Sequence, residues 1–319
     1  MAPLVWLVTG STSGIGLALI SEITARGDNV IAAGRKVEQR LSHLKSDNVA
    51  LLELDITADQ ADISDALAAA WTIFGGVDVL VNNAGMSALK PAEEATAAFV
   101  DNMFQVNLFG HMRVVQAALP LFRARSPGEF SGETGRIAFT SSSILWAPLP
   151  FMSHYAASKA GLSAYVEALH KEVRPLGIRC VAIECGGFPT SLGQPREGGA
   201  GESFGASGPA IEAYGPLFGT LMSKFATNPM AHMPGDVGKA AARIVDMLRR
   251  EGLAAGKPWA VRVALGSDGM GSAKQRCEQQ LKLVEGWRDL SLSTDREDGN
   301  GESVALKEMF EFNNLLEED

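Results

Sequence analysis

The sequence predicts an α/β protein built on a doubly wound parallel sheet of about seven strands. Over the first 190 residues, short apolar runs alternate with longer stretches of helical spacing. The apolar runs are continuous, which is typical of strands covered on both faces. Repeated alternation of strand and helix favours parallel strands joined by right-handed crossovers. The composition, 46% hydrophobic and 20% charged over 319 residues, is that of an ordinary globular protein.

Each element follows from the local spacing of apolar residues. Strands are predicted at 4–9, 29–33, 49–54, 77–82, 135–140, 178–184 and Trp259–Leu265. Helices are predicted at Ile15–Ile23, Ile63–Phe74, 92–122 (one bent helix or a pair), Tyr155–Val173, 211–226, Val237–Arg250 and 272–288. The glycine-rich stretch 193–216 predicts a long loop.

One catalytic domain is predicted over residues 1–290, with a substrate loop at about 190–235 and an acidic tail at 291–319. The tail contains two basic and nine acidic residues, so it carries seven of the nine net negative charges of the chain. Within it, Ser303–Leu316 has the spacing of a short amphipathic helix, but a solvated and partly mobile terminus is the favoured interpretation.

Charge, hydropathy and cysteine usage exclude several classes of protein. A net charge of −9 argues against a nucleic-acid partner. No apolar run approaches the ~18 residues of a membrane span, and no basic region precedes the apolar start, as a signal peptide requires. Cys180, Cys185 and Cys277 are too few and too scattered for a disulfide framework or a zinc site. We therefore expect a cytoplasmic protein without a metal.

A glycine-rich loop between the first strand and the first helix predicts a dinucleotide site. The spacing Gly-x3-Gly-x-Gly lets the backbone turn sharply and approach a pyrophosphate at a helix N-terminus, where unpaired N–H groups favour negative charge. The strand before it and the helix after it are the context that this motif needs. The predicted cofactor-binding residues here are Gly10, Ser11, Thr12, Ser13, Gly14, Ile15 and Gly16.

The end of the second strand favours NADP(H) over NAD(H). An NAD site places a carboxylate there to bind the ribose 2′-hydroxyl, but this strand ends in Gly34-Arg35-Lys36. The guanidinium of Arg35 matches a 2′-phosphate, and Lys36 adds positive charge. The alternative is that both are solvated residues at the start of a helix.

Tyr155 and Lys159 lie four residues apart in a predicted helix, so both side chains reach the same space. A phenol with a pKa near 10 is a poor base at neutral pH, and a nearby cation favours the phenolate. Upstream, the fifth strand runs into Ser141-Ser142-Ser143, where a hydroxyl group could hold a substrate oxygen.

Taken together, these motifs resemble those of the short-chain dehydrogenase/reductase family over roughly residues 3–190. The resemblance implies a Rossmann-type fold and NAD(P)-dependent oxidoreduction. The spacing of thirteen residues between the family's serine and tyrosine selects Ser142. The motifs that carry it, in family order, are Thr9-Gly10-x3-Gly14-Ile15-Gly16, Asn82-Asn83-Ala84-Gly85, Asn107, Ser142 and Tyr155-x3-Lys159.

The resemblance also implies roles for single residues. Tyr155 would be the general acid in ketone reduction, and Lys159 would hold the nicotinamide ribose and lower the pKa of the tyrosine. Ser142 would bind the substrate carbonyl, and Asn107 would order a water that links Lys159 to solvent. The remaining cofactor contacts would be Asp55 and Ile56 at the adenine, and Asn83, Ala84, Gly85, Gly186, Phe188 and Thr190. For Asn82 and Asn83 a structural role, tying strand ends together, stays open.

The chain departs from the family pattern after the sixth strand. Where the family usually has Pro-Gly, this chain reads Cys185-Gly186. A catalytic thiol is one interpretation of Cys185, and a small buried side chain is the favoured one. An insert before the fifth strand, 125–132, is expected at the edge of the sheet opposite the ligands.

The segment between Ser142 and Tyr155 is apolar and aromatic and holds no arginine or lysine. It predicts one wall of a cleft for a hydrophobic ketone or alcohol, such as a polyketide, terpenoid, steroid-like or acyl-chain compound. Several of these side chains are alternatively core. The predicted substrate pocket comprises Ser143, Trp146, Leu149, Phe151, Met152, Phe188, Phe204, Tyr214, Phe218 and Met222.

The favoured function is therefore an NADPH-dependent carbonyl reductase, written reversibly as an alcohol:NADP oxidoreductase. A non-catalytic NADP(H) sensor or scaffold is one alternative, which the intact Ser142, Tyr155 and Lys159 argue against. Cofactor-assisted isomerisation or dehydration is another. The resemblance further implies a homodimer or homotetramer.

Overall fold

Seven parallel strands form the central sheet of the protein, and two further short strands, Trp259–Ala260 and Leu316–Glu317, pair with each other outside it. The computed structural model describes residues 3–126, 132–192, 208–227, 233–295 and 316–317. The strands are β1 (Val5–Thr9), β2 (Asn29–Gly34), β3 (Val49–Glu53), β4 (Val79–Asn82), β5 (Gly135–Ser142), β6 (Ile178–Cys185), β7 (Trp259–Ala260), β8 (Arg262–Leu265) and β9 (Leu316–Glu317). The sheet order is β3-β2-β1-β4-β5-β6-β8, which confirms the predicted doubly wound fold.

Helices cover both faces of this sheet. They are α1 (Gly14–Ala25), α2 (Val37–Leu41), α3 (Gln60–Ile73), α4 (Ala97–Phe104), α5 (Gly110–Arg123), α6 (Ser153–Val173), α7 (Gly215–Thr227), α8 (Val237–Arg249), α9 (Ser267–Gly286) and α10 (Arg288–Leu292). Helix α1 packs against α8, and α3 packs against α5. The core lies between these layers and the sheet, with Trp6, Phe122 and Phe139 fully buried. In the described residues, no helix has both the length and the apolar character needed to cross a membrane.

The stretch predicted as one bent helix or a helix pair is a single helical path with a wide turn in it. A π-helical turn, Gln105–Phe109, joins α4 to α5. Such turns often occur at functional sites. Here the turn contains Asn107, which is completely buried.

The predicted last strand, Trp259–Leu265, is divided in the structure. Arg262–Leu265 pairs with β6 in the main sheet, whereas Trp259–Ala260 pairs antiparallel with Leu316–Glu317. The helix predicted at Ser303–Leu316 is therefore wrong at Leu316, because this residue bonds to a strand edge, and 303–315 lies outside the described residues. The helix predicted at 272–288 begins earlier, at Ser267.

Candidate active site

The loops after β1, β4, β5 and β6 meet at the carboxyl edge of the sheet, where ligands bind in doubly wound folds. A cavity of about 110 Å³ lies there between the glycine loop and α6. A second cavity, of about 700 Å³, extends towards the end of β2 and shares Gly10, Ser13, Ala84 and Gly85 with the first. The two form one elongated cleft.

The glycine loop has a backbone path that side chains would block. Gly10 and Gly14 have φ angles of +66° and +57°, a region that favours glycine. A Cβ on Gly10 would lie 2.7 Å from the Ala84 Cα, and one on Gly16 would lie 2.4 Å from the carbonyl oxygen of Gly10. The backbone of the loop is therefore tightly packed on one side, and its other side faces the cleft. This arrangement fits a loop that binds a dinucleotide phosphate.

The three hydroxyl residues of this loop do not all face the cleft. Thr12 and Ser13 line it, as does Ile15. Ser11 is fully buried, and its hydroxyl donates to the carbonyl oxygen of Val8 at 2.5 Å. The prediction of Ser11 as a cofactor contact through its hydroxyl is therefore not supported, because that group closes the loop on itself.

Asn83, rather than Asn82, ties the strand ends together. Its Nδ2 donates to the Thr9 carbonyl oxygen at 3.0 Å, and its Oδ1 accepts from the Thr140 hydroxyl at 3.1 Å. Asn83 also lines the cleft. The Asn82 carboxamide, on the opposite face of β4, is buried without a hydrogen-bond partner among the described residues.

Of the three consecutive serines, only Ser142 is placed for chemistry at the tyrosine. Its hydroxyl is hydrogen-bonded with Tyr155 and accepts from the Ile144 backbone N–H at 3.2 Å. Ser141 faces the other way and lies 2.9 Å from the Ser163 hydroxyl. Ser143, a predicted pocket residue, starts a short helical turn and is not part of the cavity lining.

Tyr155 and Lys159 are both buried on α6 and line the cavity together. Burial raises the pKa of Tyr155 to about 12, opposed by the hydrogen bond from Ser142. Burial also lowers the pKa of Lys159 to about 8. The Lys159 ammonium donates to the Thr140 carbonyl oxygen at 2.8 Å. The expected lowering of the tyrosine pKa is thus reversed, because desolvation outweighs the hydrogen bond from Ser142.

Asn107 holds the loop after β4 in place through hydrogen bonds to its backbone. Its Oδ1 accepts from the Met86 N–H and its Nδ2 donates to the Met86 carbonyl oxygen, both at 2.9 Å. The same Nδ2 lies 3.1 Å from the Ser158 hydroxyl. A Cβ on Gly85 would lie 3.4 Å from Asn107 Oδ1 and 3.6 Å from Lys159 Nζ, so both side chains border the space beneath Gly85.

The far end of the cleft is lined by basic side chains. Arg35 and Lys36 follow β2, and Arg40 lies one turn into α2. In the described part of the chain, neither the Arg35 nor the Arg40 side chain has a hydrogen bond or an ion pair. The nearest acidic residue of the helix, Glu38, pairs with Lys45 at 2.7 Å. Arg40 was missed in the sequence, although its helical spacing from Lys36 was a usable signal.

Asp55 and Ile56, the predicted adenine contacts, line the same end of the cleft. The Asp55 carboxylate accepts from the backbone N–H and the hydroxyl of Thr57, at 2.9 and 2.7 Å. This turn fixes the position of the carboxylate beside the cavity.

The turn after β6 is held by an aspartate that the sequence did not reveal. Gly187 N–H donates to Asp268 Oδ2 at 2.6 Å, and a Cβ on Gly186 would lie 2.2 Å from Asp268 Oδ1. Gly186, Phe188 and Thr190, which are predicted cofactor contacts, line the cavity. Cys185 lines it too, but burial raises the pKa of its thiol to about 12. A protonated, packed thiol agrees with the favoured interpretation of Cys185.

An apolar cluster surrounds the face of Tyr155 that looks towards α7. It contains most of the predicted pocket residues, namely Leu149, Phe151, Met152, Tyr214, Phe218 and Met222. The Phe151 ring makes edge contacts with Tyr214 and Phe218, at centroid distances of 6.1 and 5.5 Å. These contacts pack α7 against the Tyr155 side of the cleft.

Four predicted pocket residues are not part of this cluster: Ser143, Trp146, Phe188 and Phe204. The Trp146 indole donates to Glu184 at 2.5 Å and stacks under Arg262 at 4.5 Å. Because Glu184 and Arg262 bind its indole, Trp146 belongs to a polar cluster at β6 and β8 and not to the pocket. Both partners are far from Trp146 in the sequence, so local spacing does not predict this contact. Phe204 lies outside the described residues.

Comparison with known proteins agrees with this geometry. The family profile of short chain dehydrogenases matches residues 4–199, which is more than half of the chain. The chain therefore belongs to the short-chain dehydrogenase family, and it is an oxidoreductase of that type.

Three relatives illustrate the range of the family. An NADPH-dependent 1-acyldihydroxyacetone phosphate reductase of Saccharomyces cerevisiae is 33% identical over 195 residues, 60% of this chain and 63% of that protein. A short-chain dehydrogenase structure from Streptomyces avermitilis is 30% identical, with a TM-score of 0.75, over 92% of this chain and 100% of that one. A 3-ketoacyl-(acyl-carrier-protein) reductase structure from Brucella melitensis, complexed with NADH, is 29% identical, with a TM-score of 0.55, over 59% and 77%. With the cleft, these likenesses support binding of NAD(P)(H).

Proposed function

We propose that this short-chain dehydrogenase is an NADPH-dependent carbonyl reductase acting on a hydrophobic ketone, with the reverse oxidation of a secondary alcohol as the same chemistry. One observation carries the proposal: the Ser142 hydroxyl, the Tyr155 phenol and the Lys159 ammonium line the same cavity as the glycine loop. Reduced nicotinamide, when bound, supplies the hydride for such a reduction.

Tyr155 acts as the proton donor in this proposal. Its raised pKa, about 12, keeps the phenol protonated at neutral pH, which is the form that a ketone reduction requires. The Ser142 hydroxyl, hydrogen-bonded with the phenol, is placed to hold the same carbonyl oxygen. As the proton leaves, the positive charge of Lys159 stabilises the phenolate.

The lowered pKa of Lys159 also predicts how the reaction rate depends on pH. Its pKa is lowered from 10.5 to about 8, so its charge is present below that pH and is lost as the pH rises through it. Reduction by the enzyme should therefore decline above a pH of about 8. Lys159→Arg keeps a cation at every accessible pH, so its residual activity should lack this decline.

The basic end of the cleft supports a preference for NADPH. Guanidinium groups form bidentate bonds to phosphate, and Arg35 and Arg40 line the cavity with no carboxylate bound to either of them in the described residues. A charged hydrogen bond contributes about 1.5–3 kcal/mol, equivalent to roughly 10- to 100-fold in affinity. Arg35→Ala should raise KM for NADPH by about this factor and leave KM for NADH nearly unchanged. Arg123→Ala, an exposed arginine on α5, is the matched control.

The walls around Tyr155 support an apolar substrate next to the carbonyl. Phe151, Met152 and Ile144 are buried beside the phenol, and Phe218 of α7 packs against Phe151. The yeast and Brucella relatives are named for acyl-bearing keto substrates, which agrees with such walls. Acyl-chain ketones are therefore the first class to test.

The defining experiment follows NADPH oxidation by the full chain with a panel of hydrophobic ketones. Tyr155→Phe should abolish turnover, whereas Tyr165→Phe, which removes a second tyrosine hydroxyl of the same helix, should retain it. Tight NADPH binding without turnover in either direction would favour a sensor, and product formation without net NADPH consumption would favour an isomerase. The homodimer or homotetramer expected from the family, and the cytoplasmic location, stay predictions.

A further inference from the structure

The short turn that follows Ser142, which we call the serine turn, is closed by hydrogen bonds at both of its ends. The Ser142 hydroxyl oxygen accepts from the Ile144 backbone N–H at 3.2 Å, and the Trp146 backbone N–H donates to the Ser143 carbonyl oxygen at 2.9 Å. With Ile144 on the acceptor side of the hydroxyl, its hydrogen is directed to the Tyr155 oxygen. The position of the serine turn therefore sets the direction in which the Ser142 hydroxyl donates.

The far end of the serine turn is attached to the central sheet by the Trp146 side chain. Its indole N–H donates to Glu184 Oε2 at 2.5 Å, and the Arg262 guanidinium lies 4.5 Å from the ring centroid, which is the geometry of a cation–π contact. Glu184 lies on β6 and Arg262 on β8, and these strands are neighbours in the sheet. Two charged side chains from two strands thus hold one indole.

Glu184 and Arg262 belong to a network of charged hydrogen bonds. The Glu184 carboxylate is 1% exposed, and both of its oxygens are used, Oε2 by Trp146 and Oε1 by the Arg262 Nε at 2.6 Å. Arg262 also donates to Glu167 of α6 at 2.6 Å. Charge-assisted hydrogen bonds of this kind are stronger than neutral ones. The network therefore connects Trp146 to β6, β8 and α6, the helix that contains Tyr155.

This network is next to the catalytic cavity but does not line it. In the described part of the chain, Trp146, Glu184 and Arg262 are absent from the lining of the cavity that contains Tyr155. Ser142 lies opposite Cys185 in the register of β5 and β6, and Glu184 is the residue before Cys185. The network can therefore act on the reaction only through the position of Ser142 and its turn.

We propose that Trp146 is a positioning residue for Ser142: held by Glu184 and Arg262, its indole fixes the serine turn that directs the Ser142 hydroxyl. This inference rests on the proposed reductase function, in which that hydroxyl holds the substrate carbonyl. A misplacement of about 1 Å can cost about a hundredfold in rate. Loss of the indole contacts should therefore lower kcat. KM for NADPH should stay within about twofold, because the basic end of the cleft follows β2, which lies beyond β1 and β4 from Ser142.

Steady-state kinetics of Trp146→Phe in the full chain test the proposal. Phenylalanine keeps a ring beside Arg262 but removes the N–H that Glu184 accepts. We expect kcat for an acyl-chain ketone to fall at least about tenfold, with KM for NADPH nearly unchanged.

Trp259→Phe is the matched control. The Trp259 indole donates to the Cys180 carbonyl oxygen at 2.9 Å, and the Arg136 guanidinium lies 5.6 Å from its ring. Cys180 lies near the start of β6, whereas Glu184 lies at its end. The control therefore removes the same kind of contact away from the serine turn, and kcat should stay within about twofold of wild type.

Backbone exchange at Ile144 supplies an arm of the test that needs no turnover. The Ile144 N–H is bonded to the Ser142 hydroxyl, so Trp146→Phe should speed its exchange at least about tenfold in hydrogen-exchange NMR, and Trp259→Phe should leave it unchanged. Equal kcat in the two variants, or unchanged Ile144 exchange in Trp146→Phe, would overturn the proposal. A wild type that reduces no ketone would refute the proposed function instead, and the Ile144 exchange would then decide whether Trp146 fixes the turn.

Discussion

Replacing Lys159 by methionine should make the cofactor-free protein more stable while it destroys activity. Lys159 is 3% exposed, and burial lowers its pKa from 10.5 to about 8. Since each pKa unit corresponds to about 1.4 kcal/mol, holding this ammonium charged in the folded state costs about 3 kcal/mol at neutral pH. Methionine has a similar length and carries no charge.

The stability gained by Lys159→Met is reduced because the variant loses one hydrogen bond. The Lys159 ammonium donates to the Thr140 carbonyl oxygen at 2.8 Å, and leaving that oxygen without this bond costs about 1 kcal/mol. The net expectation is about 2 kcal/mol more stability, or a rise of about 4 °C in Tm for a chain of this size. Lys239→Met, at an exposed lysine of α8, should change Tm little.

The stability of the wild type should also depend on pH through Lys159. Because the folded pKa of Lys159 lies below the unfolded one, the unfolded chain binds more protons between pH 8 and 10.5. Wild-type stability should therefore gain a favourable contribution as the pH rises through this window, and Lys159→Met should lack it. Urea unfolding from pH 6 to 10 measures both curves. Parallel curves, or a destabilised variant at pH 7, would show that desolvation does not dominate at Lys159.

Two further substitutions probe the cleft and α7. Gly10→Ala should abolish NADPH binding in a fluorescence titration, because its Cβ would lie 2.7 Å from backbone; Gly256→Ala, with a similar φ of +68° and nothing within 4 Å, should bind normally. Phe218→Ala removes the 5.5 Å ring contact with Phe151 and should raise KM for an acyl-chain ketone about tenfold. Leu217→Ala, next to it and 50% exposed, should leave that KM within about twofold.

The parts of the fold that follow from local pattern were predictable. The first six strands are present because each is a continuous apolar run between helical stretches, and burial on both faces requires such runs. The glycine loop and the cleft residues of the strand ends lie together because parallel strands bring their carboxyl ends to one edge. Ser142 faces Tyr155 and Ser141 does not, as alternation along a strand requires.

The parts that depend on distant partners were not predictable. Trp146 turns away from the pocket because Glu184 and Arg262 bind it, and neither is near it in sequence. The strand Trp259–Leu265 is divided because the tail pairs with its first two residues. The pKa of Tyr155 rises because an apolar cluster from several elements surrounds it. Spacing in the sequence shows that Tyr155 and Lys159 are close together, but it does not show how far the two side chains are buried from water.

The most direct test of the central claim is the rate of NADPH oxidation with an acyl-chain ketone, compared between Tyr155→Phe and Tyr165→Phe. We expect the first variant to bind NADPH but to lose at least about a thousandfold in kcat, because the proton donor is gone, while the second turns over at nearly the wild-type rate. Comparable rates in the two variants would contradict the assignment of Tyr155 as the proton donor.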